Sequence, residues 1–67
     1  MKLSARNSLA GTIRKITPGA VNADVEIEVA PGVVITSIIT MSSVRSLGLK
    51  EGGEAFAVIK ASNVMIG

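Results

Sequence analysis

From residue 21 to residue 29 apolar and polar positions alternate without a break. Val21, Ala23, Val25, Ile27 and Val29 fall on one side; Asn22, Asp24, Glu26 and Glu28 fall on the other. A period of two is the mark of a strand with one buried face. Pro18-Gly19 precedes this stretch and Pro31-Gly32 follows it. Pro presets φ and Gly accepts positive φ, so both ends predict turns. Upstream, residues 8–17 place Leu9, Gly11 and Ile13 on one side and then Ile16 out of phase, which predicts a bulge or bend near Arg14-Lys15. Residues 33–40 are β-branched almost throughout and predict a third strand. Val44 and Leu47 then stand at helical spacing, with Thr40 as a cap before them and Gly48 as a stop, so a short helix is expected over residues 41–48. Residues 49–53 read as a loop. Two apolar segments, 55–60 and 64–66, meet at Ala61-Ser62-Asn63 and predict a last strand kinked at that point, with Phe56 in the core.

This order predicts an all-β fold: a small OB-like Greek-key β-barrel with one short helix between strands, residues 1–67 forming a single domain. At 67 residues the chain is short, and a domain of this size hides only about 60% of the surface its unfolded form exposes. Yet 48% of its residues are hydrophobic and there is no cysteine to staple it. The expected remedy is oligomerisation, with apolar surface shared between subunits as in a divided core.

The chain has no Cys, His, Trp or Tyr. Redox thiols, Cys/His zinc sites, Ser-His-Asp and Cys-His nucleophiles and histidine acid–base chemistry are therefore excluded. Three of the five carboxylates, Asp24, Glu26 and Glu28, alternate along one strand face as solvated charges do, which argues against a paired-carboxylate hydrolase. The expectation is a protein that is not an enzyme and holds no cofactor or metal cation. The net charge of +2 is not gathered into a basic run, and the one aromatic residue offers no stacking platform, so nucleic acid is not the expected partner. With no apolar run near the ~20 residues of a membrane span and no charged start leading into an apolar stretch, the expected location is cytoplasmic.

Donors without balancing acids gather in three segments, each at an element boundary: Ser4-Ala5-Arg6-Asn7, Thr40-Met41-Ser42-Ser43 and Lys60-Ala61-Ser62-Asn63. A Thr ahead of a short helix leaves first-turn N–H groups that suit an anion, Arg6 offers a planar fork for two oxygens, and Lys60 offers a compact charge. Taken singly, each has a plainer reading as a cap, a solvated charge or an edge residue. Besides anion binding, the residues alone leave open an assembly module without a ligand and a nucleic-acid-binding OB domain.

Ser4-Ala5-Arg6-Asn7 with Leu9 and Gly11, Thr36-Ser37-Ile38-Ile39-Thr40, Ser43-Val44, Leu47-Gly48-Leu49, Gly52 and Lys60-Ala61-Ser62-Asn63-Val64 together resemble the molbindin, or Mop, domain over almost the whole chain. The resemblance implies an OB-like domain that binds molybdate or tungstate between subunits. It also implies a free-standing homo-oligomer, a hexamer built as a trimer of dimers. Carried over by motif position, Ser4, Ala5, Arg6, Thr40, Ser43, Lys60, Ala61 and Ser62 would line the oxyanion site, and Gly19, Ala20 and Val21 would belong to a second class of site. Pro31 departs from the family pattern. Such a donor-only pocket suits a tetrahedral dianion that carries no proton at neutral pH. Phosphate retains a proton, and setting that O–H against another donor leaves a buried polar group unpaired, at roughly 1–3 kcal/mol. Sulfate would be refused by its shorter bonds. The implied role is storage, buffering or delivery of the anion.

Overall fold

The computed structural model describes residues 6–67. Its strands follow the hydrophobic pattern: β1 spans Asn7–Pro18, β2 Asn22–Ala30, β3 Val33–Thr40 and β4 Glu54–Ile59, with α1 at Met41–Ser46 and a 3-10 turn at Ala61–Asn63. All pairings are antiparallel and the sheet order is β3-β2-β1-β4. Three hairpin-connected strands with a fourth returning to lie beside the first make a Greek key. The sheet curls so that the inner faces of β3 and β4 meet across a cleft lined by Ile27, Ile35, Ser37, Ala57 and Ile59. Between β3 and β4, the two edges of the sheet, no ladder forms. The expected all-β, OB-like architecture is present, as a barrel open along this seam.

β1 is long enough to serve two partners in turn. Its first half, Asn7 to Thr12, pairs with β4, and its second half, Thr12 to Pro18, pairs with β2; Thr12 faces both Glu54 and Glu28. Gly11 sits where β1 passes from one partner to the other. A Cβ there would stand 2.6 Å from the Glu28 carbonyl oxygen and 2.7 Å from Ile27 Cγ2, so the close approach needs a residue without one. The expected bulge lies between Ile13 and Lys15. Across it the loop after α1 supplies partners: Ile13 N–H donates to Gly53 O at 2.8 Å, Gly52 N–H donates to Ile13 O at 2.8 Å, and Glu51 Oε2 accepts from Ile16 N–H at 3.0 Å. The β2–β3 hairpin turns at Pro31-Gly32, where Gly32 has φ +74°, as the third position of a type II turn requires. Such a turn splays antiparallel strands. A bulge between Glu28 and Ala30 absorbs the mismatch, and Glu28 Oε2 accepts from Gly32 N–H at 3.1 Å.

Thr40 ends β3 and caps α1, its Oγ1 accepting from Ser43 N–H at 3.1 Å. The helix stops at Gly48, whose φ of +63° opposes a further helical turn. Val44 from α1 joins Ile13, Ala23, Val25, Ile27 and Ala57 in the core.

Four expectations are corrected. Phe56 lies on the outer face of β4 and is 67% exposed, because the register pairs it with Ala10 and turns Ala55 and Ala57 inward. Val21 is exposed in the turn ahead of β2 instead of on the strand's inner face. The helix expected over residues 41–48 ends at Ser46, so Leu47 lies just past it and is exposed, leaving Val44 as the helix's buried residue. Residues 64–66 form no strand: after the 3-10 turn they extend without a ladder, and Met65 and Ile66 are 92% and 93% exposed. Apolar composition there is not matched by any partner strand within the described residues.

Candidate functional site

The β1–β4 ladder ends at the pair Asn7 and Ile59. The residues next beyond that pair are Arg6 on one strand end and Lys60 on the other, and both are exposed. Two cations gathered at one end of a ladder repel each other. Among the described residues the single ion pair is Arg14 with Glu28, at 3.9 Å, so no carboxylate neutralises either Arg6 or Lys60. Beyond Lys60 the chain folds at once into the 3-10 turn, with Asn63 N–H donating to Lys60 O at 2.9 Å and Val64 N–H to Ala61 O at 3.2 Å. Ala61 and Ser62 are thereby held beside Lys60. Lys60 occupies the cap position of this turn, where its ammonium, a donor without a lone pair, has no capping bond to accept. Ser4 and Ala5 lie outside the described residues.

Thr40 and Ser43 form a second group. The Thr40 hydroxyl accepts from Ser43 N–H and donates to Ser43 Oγ at 2.8 Å, with Ser42 Oγ 3.2 Å away. Its single proton is thus used on Ser43, whose own O–H is free to turn outward. Gly19, Ala20 and Val21 lie next to this group. Gly19 N–H donates to Asn22 O at 2.8 Å, closing their turn, and Met41 N–H donates to Val21 O at 2.7 Å, tying the turn to the start of α1. The same cap gives a stability prediction. Thr40→Ala is expected to lower unfolding free energy by about 1 kcal/mol, measured by urea denaturation; an unchanged midpoint would show that the cap contributes nothing.

The sequence-derived donors therefore separate into two groups. Arg6, Lys60, Ala61 and Ser62 gather at the start of β1, while Thr40 and Ser43 gather with residues 19–21 near its end, since Pro18 pairs with Ala23 and Asn22 pairs with Thr40. A cleft of about 640 Å³ among the described residues belongs to neither group. It lies over Ala10, Gly11 and Thr12 and is rimmed by Glu28 and Glu54, whose negative charge repels an anion. Asn7 follows Arg6 directly in the S-A-R-N segment. The structure gives it one contact: its Nδ2 donates to Ile59 O at 3.3 Å.

A four-stranded Greek key with a capped helix between its third and fourth strands, curled around a small apolar core, defines an OB-like domain. The TOBE domain family model matches residues 3–66. Molybdenum-pterin-binding protein 1 of Clostridium pasteurianum is 50% identical over 66 residues, covering 98% of this chain and 97% of the relative. The molybdate-binding protein of Sporomusa ovata superposes with a TM-score of 0.90 at 33% identity, over 98% of this chain and 97% of that one. ModG, described as a cytoplasmic molybdate-binding protein and solved with molybdate bound, superposes with a TM-score of 0.90 at 54% identity, over 97% of this chain and 46% of that one. This chain belongs to the molbindin (Mop) family of TOBE domains.

Proposed function

We propose that this chain binds molybdate reversibly, without catalysis, in sites completed by a second copy of itself. The observation that carries the reading is the placing of Arg6 and Lys60 directly beyond the last β1–β4 pair, two cations with no carboxylate partner. An anion between or beside them relieves a repulsion that the fold otherwise bears. Membership of a family whose relatives are molybdate-binding proteins names the anion. Tungstate, of nearly the same size and charge, binds alike.

Three features support assembly. The two donor groups lie apart along β1, so a compact pocket using both draws them from different chains. Residues 64–66 expose apolar side chains without a ladder partner. β3 is an edge strand with no charge and no Pro along its eight residues, the kind of edge that proteins cover. These observations fit a homo-oligomer, which we take to be the hexamer, a trimer of dimers, with Ser4, Ala5, Arg6, Lys60, Ala61 and Ser62 around one class of anion. Thr40 and Ser43 reach the same anion from another copy or join residues 19–21 at a second one. Residues 1–67 then act as one domain, in the cytoplasm, where they store, buffer or deliver the anion. Among the described residues no helix is long and apolar enough to cross a membrane.

The test is equilibrium dialysis of the purified protein against molybdate, with excess sulfate and phosphate present, followed by metal analysis and light scattering. Molybdenum retained at a fixed ratio per chain on a particle several chains in mass is the expected result. A chain that retains none fails as a molybdate carrier, and a monomer that retains it fails the shared-site reading.

A further inference from the structure

Asn7 and Ile59 form the last rung of the β1–β4 ladder, and Arg6 and Lys60 are the next residue on either side of it. The side chain of Asn7 adds a second tie to the same residue, Nδ2 donating to Ile59 O at 3.3 Å. Ile59 is the residue before Lys60, so the carboxamide grips the facing strand one residue short of the cation. No other side-chain hydrogen bond between β1 and β4 occurs among the described residues. The repulsion between Arg6 and Lys60 acts to splay the strands at this end, where backbone pairing has run out. A tie at the final rung opposes that splaying.

We propose that Asn7 is a positioning residue for the oxyanion site, holding Lys60 near Arg6 through the Ile59 carbonyl without touching the anion. The proposal rests on the molybdate-binding reading above. Without the tie, the two strand ends spread under their own charge in the empty protein. Binding must then draw the cations back together before both can reach one anion, and that reorganisation lowers affinity. Asn suits the task because its amide offers a donor to a carbonyl and carries no charge of its own to perturb the pair. The residue is exposed, so its replacement leaves the core intact.

The experiment is a double-mutant cycle read as molybdate affinity, using dialysis carried to millimolar molybdate so that a weakened chain still registers. Asn7→Ala in the otherwise unaltered chain is expected to weaken binding about fivefold, the weight of one ordinary hydrogen bond. In a Lys60→Ala background the same replacement is expected to change nothing, because the group that Asn7 positions is gone. Thermal melting of the anion-free variants accompanies the cycle and separates a general loss of fold from a loss of positioning. Unaltered affinity in Asn7→Ala would overturn the proposal, and so would an equal loss in both backgrounds, which would mean that Asn7 acts independently of Lys60. A parent chain that binds no molybdate would overturn the site itself, a result distinguishable from a binding parent with an indifferent Asn7→Ala.

Discussion

Arg6→Ala is expected to weaken molybdate retention by about 30-fold or more. A guanidinium presents two parallel N–H donors to a pair of oxygens, and charge-assisted hydrogen bonds of that kind each contribute about 1.5–3 kcal/mol. Lys60→Ala should act in the same direction through loss of a point charge. Arg6→Lys separates the two contributions, since it keeps the charge and discards the fork, and it should fall between the parent and Arg6→Ala. The empty protein responds oppositely. Removing either cation relieves the repulsion at the end of β1, so the anion-free variants should melt no lower than the parent. Dialysis over a concentration series, with melting curves in the absence of molybdate, checks both halves. Full affinity in Arg6→Ala would remove that residue from the site.

The second large effect is on stability. Ile13 is 1% exposed, sits beside the β1 bulge, and has both backbone groups bonded to the loop after α1 through Gly52 and Gly53. Ile13→Ala removes buried carbon and leaves a cavity that the bonded backbone keeps from collapsing, for a loss of about 2–5 kcal/mol. Small domains have little to spare against such a change, so the variant is expected to be largely unfolded in modest urea. Lys50→Ala is the control. Lys50 is exposed in the loop after α1, and its replacement should stay within about 0.5 kcal/mol. Because subunit association makes the midpoint depend on protein concentration, the variants are to be compared at one concentration. Equal midpoints for Ile13→Ala and the parent would contradict a core built around Ile13.

Where the sequence alternates cleanly, the fold could be read from it. Asp24, Glu26 and Glu28 fix the phase of β2 because each charge marks the outer face, and Ala23, Val25 and Ile27 are buried accordingly. The slip at Ile16 foretold the bulge, and Thr40 foretold the start of α1. Phase was lost where every residue is apolar. In Ala55-Phe56-Ala57-Val58-Ile59 either set of alternate positions could face inward, and only the register against β1 decides that Phe56 faces out. Residues 64–66 misled for a related reason: hydrophobicity signals that a segment seeks a partner but says nothing about which chain supplies it. The candidate donors were legible as residue types, and Arg6, Lys60, Ala61 and Ser62 do come together. That Thr40 and Ser43 lie at the other end of β1 could not be read locally, because it follows from strand order and from the length over which β1 changes partners.

The handover along β1 joins contacts of two kinds. Its pairing with β2 is a hairpin contact between neighbours in sequence, whereas its pairing with β4 joins residues as far apart as Asn7 and Ile59, separated by 52 positions. Contacts of the first kind close short loops and those of the second close nearly the entire chain. Arg6 and Lys60 become neighbours only through the long-range pairing. In an unfolded chain, or in one that has made only the β1–β2–β3 meander, they are two unrelated charges at opposite ends of the polymer. If this pair takes up the proposed anion, capture would be a property of the completed topology, and the bound anion would act as a clasp on a loop spanning nearly the whole chain.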